Sequence, residues 1–273
     1  MMTSYEKFKQ KAGEEYIDHD RFLKVRSEVF SGLSARMEKN AYEDGGIGAL
    51  SEKSIHAFLK RYIEPDTDYH EVALDGFFAD ICRDGQITEI QTKGLGRLRK
   101  KLSVFLNYYQ VTIVYPMPVN KWIGRIEKGQ MQPSDFRLSP VHMNLYSAFD
   151  EIYGIKMFLK HPNLRLHLYL MDMEEIKLYV PHGRRGRKKV RSGYERMDRI
   201  PLGIRQIAEF NCPNDYLRLV PADLEDTFTS VQMAESAGIG KNHASLVMNV
   251  LNETGVVRRI GKKGHAYLYE VSY

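Results

Sequence analysis

The sequence is poor in cysteine, and Cys82 and Cys212 are the only two in 273 residues. Two unpatterned cysteines cannot build a disulfide framework or a Cys-based zinc site. His142, His161, His167 and His182 lack metal-ligand spacing, and neither a Gly-x-Ser-x-Gly elbow nor a Gly-rich Lys-Ser/Thr phosphate loop occurs. With 10 Pro and 21 Gly the chain is neither collagenous nor of low complexity. No apolar run approaches the roughly 20 residues of a membrane span, the longest being short β-rich stretches such as Val111 to Tyr115. The opening MMTSYEKFKQKAGEEYIDHD is charged and has no apolar secretory core, so a cytoplasmic protein without a membrane partner is expected. A large excess of one charge is also missing, since 40 Lys+Arg stand against 35 Asp+Glu. A net +5 names no partner by itself.

What is present is a globular composition, 43% hydrophobic and 27% charged, in a chain long enough for one large domain or two modest ones. The charge is unevenly placed. Between Gly183 and Arg199 eight Arg/Lys stand against Glu195 and Asp198, a local surplus of six. Lys93, Arg97, Arg99, Lys100 and Lys101 form a second basic cluster.

Periodicity organises the rest. Residues 3–40 read as helical, and residues 51–63 as a second helix with Ser51 or Ser54 at its N-cap and Pro65 just past its end. The stretch VALDGFFADI, then RDGQ, then ITEIQT reads as two strands joined by an Asp-Gly turn. Gly94 to Leu106 follows as a basic amphipathic helix, and QVTIVYPMP as a buried strand stopped by its two prolines. A short strand at 121–127, a helix at 144–159 and a strand-rich segment at 165–180 complete an α/β layer.

Aligned on its Asp84-Gly85 turn, the hairpin sets Arg83 opposite Gln86, Cys82 opposite Ile87, Ile81 opposite Thr88 and Asp80 opposite Glu89. Directly opposed carboxylates repel, and these two have the apolar neighbours Phe78, Ile81 and Ile90. Such a pair must raise a pKa or find a cation. Gln91 and then Lys93 follow on the same face, so Asp80, Glu89 and Gln91 converge as oxygen ligands for a hard divalent ion such as Mg²⁺ or Mn²⁺.

An acid near the end of one strand, followed by an acid-x-Lys triplet on its hairpin partner, resembles the PD-(D/E)XK phosphodiesterase superfamily. Here the residues are Asp80 and Glu89-Ile90-Gln91, with the helix TKGLGRLRKKLSVFL and the strand QVTIVYP following as that core requires. The sequence departs from the pattern in having no Pro before Asp80 and Gln91 in the usual Lys position. The resemblance implies a restriction-endonuclease-like mixed sheet flanked by helices. It implies Asp80 and Glu89 as metal ligands, Gln91 orienting water, Lys93 or Lys101 supplying the missing positive charge, and Glu71 as the family's additional acid, with Glu64 as its alternative.

The last fifty residues read as helix, short turn, helix and a two-stranded hairpin around Gly261 to Gly264, which resembles a winged helix-turn-helix. That resemblance implies duplex DNA contacts from Lys241 and Asn242 of the second helix and from Arg258, Arg259, Lys262 and Lys263 of the wing. Arg184, Arg185, Arg187, Lys188, Lys189 and Arg191 would track the backbone phosphates. The expected organisation is an N-terminal helical arm (1–45), a nuclease-like α/β core (46–181), a basic linker with a connecting helix (182–221) and a winged helix (222–273). The expected activity is Mg²⁺-dependent hydrolysis of DNA phosphodiesters, with a non-catalytic DNA-binding regulator as the rival. Pairing of two copies to form a homodimer that cuts both strands stays open.

Overall fold

The computed structural model describes residues 3–12, 15–31, 51–127, 130, 132–133, 135–180, 183–185, 188–190 and 193–272. It is a mixed α/β structure. The chain divides into two compact units, one of Met1–Thr67, Pro116–His142 and Tyr169–Ile207, the other of Asp68–Tyr115, Met143–Leu168 and Ala208–Tyr273.

In the first unit, helices α1 (Ser4–Ala12) and α2 (His19–Phe30) replace the continuous helix expected over residues 3–40, and α3 (Ser51–Ile63) forms where the second helix was expected. Asp18, with φ 45, accounts for the start of α2, because a left-handed residue cannot continue a right-handed helix. The part of that expectation covering residues 32–40 lies outside the described residues. Phe22 of α2 and Phe58 of α3 are fully buried with ring centroids 4.8 Å apart. A separate apolar cluster joins Ile126, Ile176, Met197 and Ile200, and another joins Tyr5, Trp122 and Leu202. Between apolar layers lies Asp172, wholly inaccessible. Its carboxylate accepts from Tyr16 Oη (2.9 Å), Asn120 Nδ2 (2.8 Å) and Arg205 Nε (2.6 Å), which offsets the loss of hydration.

The second unit begins with β1 (His70–Leu74), β2 (Phe77–Arg83) and β3 (Gln86–Ile90), an antiparallel meander. The sequence reading left residues 72–81 in one strand; the chain instead folds back at Asp75-Gly76 (φ 47 and 80). Asp84-Gly85 (φ 50 and 74) makes the next turn. Positive φ at both central residues defines the type I′ turn, whose twist matches that of its flanking strands, and Asp-Gly is among the pairs that adopt it most readily. A 3₁₀ turn (Leu95–Leu98) and helix α4 (Arg99–Phe105) then cross over to β4 (Gln110–Ile126), whose first residues pair parallel with β3.

Strand β4 does not stop at its prolines. Its pairing with β3 ends at Ile90↔Val114 and the Gln91 N–H to Val114 carbonyl bond, so Pro116 and Pro118 fall where β3 asks for no further amide hydrogen. After β5 (Arg137–Leu138), residues 145–158 form 3₁₀ turns around a single α-turn, α5 (Phe149–Ile152), rather than one regular helix. Then come β6 (Leu164–Val180), the short antiparallel pair β7 (Gly183–Arg185) and β8 (Lys188–Val190), and β9 (Gly193–Phe210). Where a linker and connecting helix were expected, residues 193–210 are an eighteen-residue strand burying Met197, Ile200, Leu202 and Ile204. The large sheet has the order β1-β2-β3-β4-β6-β9, with β5 on β4.

The chain ends with a 3₁₀ segment (Pro213–Leu219), β10 (Thr227–Thr229), α6 (Ser230–Ser236), α7 (Lys241–Thr254), β11 (Val257–Lys263) and β12 (Ala266–Val271). Thr229 and Gln232 form a reciprocal capping box at the start of α6. Gly255, at φ 86, caps α7. Strands β10, β12 and β11 form a separate three-stranded sheet. Among the described residues no helix is long and apolar enough to cross a membrane.

Candidate functional site

The I′ turn at Asp84-Gly85 fixes the register of β2 on β3, with Arg83↔Gln86, Cys82↔Ile87 and Ile81↔Thr88 paired as the turn requires. One residue further, Asp80 stands opposite Glu89, and there the Asp80 side chain takes over from the ladder. Its Oδ2 accepts from the Ile90 N–H at 2.7 Å. The β1–β2 register carries the row on, because Glu71 lies between His70↔Ile81 and Val72↔Ala79, across from Asp80. Glu71 is exposed and held at φ 52, a left-handed conformation that costs a non-glycine residue roughly 1 kcal/mol. On the other side Glu89 pairs with Ile113 of β4.

Glu89 is only 2% exposed. Lys101, from α4, donates its Nζ to Glu89 Oε2 at 2.7 Å and to the Phe78 carbonyl at 2.6 Å. The second carboxylate oxygen, Oε1, is buried with no hydrogen-bond partner. Burial pushes the Glu89 carboxyl up to about 7, and the neighbouring charge of Asp80 pushes the same way against the pull of Lys101 and of the Asp80 backbone N–H. A buried carboxylate oxygen without a donor is expensive, and a proton, favoured by the raised pKa, or a cation would relieve it.

The donor set near it is oxygen throughout. Gln91 turns its amide nitrogen onto the Lys93 carbonyl, which leaves its own carbonyl oxygen as an acceptor. Asp80, Glu89 Oε1 and Gln91 therefore fit a hard divalent ion in kind. Among the described residues no three His, Cys, Asp or Glu side chains gather as a metal cluster, so protein ligands alone would fill few positions, as Mg²⁺ commonly accepts. Lys93 is exposed and contributes its backbone carbonyl rather than its charge to this arrangement.

Two supports of the site left no trace in the sequence. Glu151 accepts from the N–H groups of Gly94 (2.6 Å) and Leu95 (3.0 Å), pinning the loop that leads from Gln91 into α4. Gly154 packs its backbone against Gly96, where an added Cβ would lie 2.8 Å from the Gly96 nitrogen. Neither partner is local in sequence, so no spacing rule could have found them. Phe78, the apolar neighbour that the sequence places beside Asp80, is 63% exposed.

The basic positions are spread over separate elements. Arg184 and Arg185 lie in β7, paired with Lys189 and Lys188 of β8, while Arg187 and Arg191 lie outside the described residues. Lys241 and Asn242 are exposed in the first turn of α7. Another face of that helix is covered, since His243 contacts the Tyr146 carbonyl (2.8 Å) and Lys156 donates to Asn249 (2.5 Å). In the hairpin Arg258 pairs with Glu270. Arg259 lies 3.7 Å and Lys262 5.2 Å from the centre of the partly exposed Tyr267 ring, and Lys263 is exposed.

Residues 53–211 match a family described as a Domain of unknown function (DUF8091). The chain belongs to the DUF8091 family. A similar protein is an uncharacterized protein of Treponema pallidum (strain Nichols), 30% identical over 224 residues, covering 82% of this chain and 86% of that one. No solved structure matches. The DUF8091 match contains Glu71, Asp80, Glu89, Gln91, Lys93 and Lys101 together with the arginine-rich segment, and it ends before β10. The carboxylate row is thus within the DUF8091 region, and the β10–β12 region lies beyond it.

Proposed function

We propose that this protein is a DNA-binding, Mg²⁺-dependent phosphodiesterase of restriction-endonuclease-like architecture, with a C-terminal winged helix that holds the duplex. The observation that carries the reading is the buried, partnerless Oε1 of Glu89 beside Asp80, on a hairpin whose register its turn dictates. The order of elements supports it: three antiparallel strands, a crossover helix, then a strand parallel to the third. So does the C-terminal order of short helix, strand, two helices and a two-stranded hairpin.

Asp80 and Glu89 would hold the ion, which when bound lowers the pKa of an attacking water and neutralises charge on the scissile phosphate. Lys101, anchored by Glu89 Oε2 and the Phe78 carbonyl, keeps a positive charge beside the site and favours the ionised form of Glu89. The carbonyl oxygen of Gln91 is an acceptor able to orient a water, since its amide nitrogen is already committed to Lys93. The exposed Arg259, Lys262 and Lys263 carry charge suited to backbone phosphates.

Supercoiled plasmid incubated with the full chain and Mg²⁺ or Mn²⁺ tests this directly. Nicking or linearisation is expected with the wild type and only background with Asp80→Ala and Glu89→Ala; cleavage that survives both changes removes the proposed site. A second reading, a non-catalytic DNA-binding regulator, is favoured by Lys101 already neutralising Glu89 and by Gln91 standing where a lysine is usual. Salt-dependent duplex binding without cleavage in either metal would select it.

A further inference from the structure

A second feature lies in the first compact unit and does not depend on the hydrolase reading. A cavity of about 220 Å³ is lined by Phe8, Lys9, Tyr16, His19, Leu23, Arg26 and Leu202, drawn from α1, α2, β9 and the segment joining the two helices. That is the space of roughly seven waters, below the usual range of drug-sized pockets. Its walls divide into an apolar part, Phe8, Leu23 and Leu202, and a cationic part, Lys9 and Arg26.

The cations are poorly balanced. Arg26 donates its Nε to the Pro201 carbonyl at 2.9 Å and has no carboxylate partner among the described residues. Burial alone pushes its guanidinium down, with no anion to resist. Lys9 has Glu174 no nearer than 3.7 Å, and that carboxylate also accepts from Tyr5 Oη. Burial and then the charge of Arg26 push the Lys9 ammonium down, and Glu6 offsets this only in part. His19 contributes its ring to the lining, with Nδ1 buried beneath it and without a hydrogen-bond partner. Tyr16 brings no free hydroxyl, because its Oη is spent on Asp172. Lys9 is half exposed and lies 4.5 Å from the centre of the Tyr5 ring, so Arg26 is the more deeply held of two like charges at one small cavity, and an anion between them relieves their repulsion.

We infer that this cavity binds a small organic anion, its carboxylate or phosphate head held by Lys9 and Arg26 and its apolar body against Phe8, Leu23 and Leu202. The cavity admits a single ring or short chain, and the uneven walls require both parts. Polynucleotide is excluded by size.

Calorimetric titration of the full chain at low salt tests the assignment, with benzoate, phenyl phosphate and inorganic phosphate as probes and neutral benzamide as the control. Saturable one-to-one binding of benzoate or phenyl phosphate is expected, at least about tenfold weaker in Arg26→Gln and in Lys9→Gln, and absent for benzamide. Leu23→Trp, made at a residue 45% exposed, fills the cavity without touching a charge and should block the same probe. Circular dichroism establishes that each variant is folded before titration. No saturable binding of any probe, or equal binding in the wild type and both charge variants, overturns the inference. Inorganic phosphate binding as tightly as the two organic probes overturns the organic part of it.

Discussion

Replacing Glu89 by Gln should change the pH dependence of stability in a direction that the site dictates. The folded carboxyl titrates at about 7 against an ordinary 4.5. Between those values the folded chain binds more protons than the unfolded one, so this contribution is whole below about pH 4.5 and is lost as pH rises through 7. At about 1.4 kcal/mol for each pH unit, the gap corresponds to roughly 3 kcal/mol lost by pH 8. Glu174, also raised to about 7 by burial, adds a fall of the same sign. The wild type should therefore lose stability from pH 5 to 8 through two groups, and Glu89→Gln through one. At pH 8 the variant should be the more stable by roughly 3 kcal/mol, because the pull of Lys101 on the ionised carboxylate is already contained in the value of about 7. Urea denaturation across that pH range, with Glu174→Gln as a parallel variant, measures both slopes. Mg²⁺ at a hundred times its Kd should then add about 2.7 kcal/mol to the wild type at pH 8 and nothing to Glu89→Gln. Equal pH slopes in the wild type and Glu89→Gln would refute the argument from burial and charge.

Two further outcomes test the supports of the site, and a third tests the C-terminal hairpin. Glu151→Ala strands the N–H groups of Gly94 and Leu95 and should cost roughly 1–3 kcal/mol, with faster hydrogen exchange at those two amides. Gly154→Ala forces a methyl to within 2.8 Å of the Gly96 nitrogen; a loss of roughly 1–3 kcal/mol in chemical denaturation is expected, and an unchanged midpoint would mean that the two backbones part freely. If the hairpin of β11 and β12 meets a DNA backbone, Arg259→Ala and Lys262→Ala should each lower the slope of log K against log salt by about 0.9, measured by anisotropy with duplexes of different sequence.

The β2–β3 hairpin was legible in the sequence because its information is local. Asp84-Gly85 adopts positive φ at both positions, and the pairing of Ile81 with Thr88 follows from counting outward. The identical signal at Asp75-Gly76 is masked in the sequence by the apolar residues on either side, which read as one unbroken strand. Pro116 and Pro118 misled for a different reason: a proline ends a strand only where a neighbour requires its N–H, and β3 has finished its pairing by Val114. For residues 193–210, the basic run just upstream gives the segment the composition of a linker and masks the strand that buries Met197, Ile200, Leu202 and Ile204.

The sequence by itself determined what depends on near neighbours: the Asp84-Gly85 turn, the end of α7 at Gly255, and the register of β2 on β3 that counting outward from the turn sets. Those features follow from backbone dihedral preferences and short spacings. Only the tertiary structure decided that Lys101 rather than Lys93 meets Glu89, that one Glu89 oxygen is left without a partner, and that Glu151 holds the loop at Gly94. It likewise brought Lys9, His19 and Arg26 around one cavity. Each of these depends on where a distant segment returns and how much water it displaces. The chemistry of a buried charge is set by that exclusion of water and not by its position in the chain.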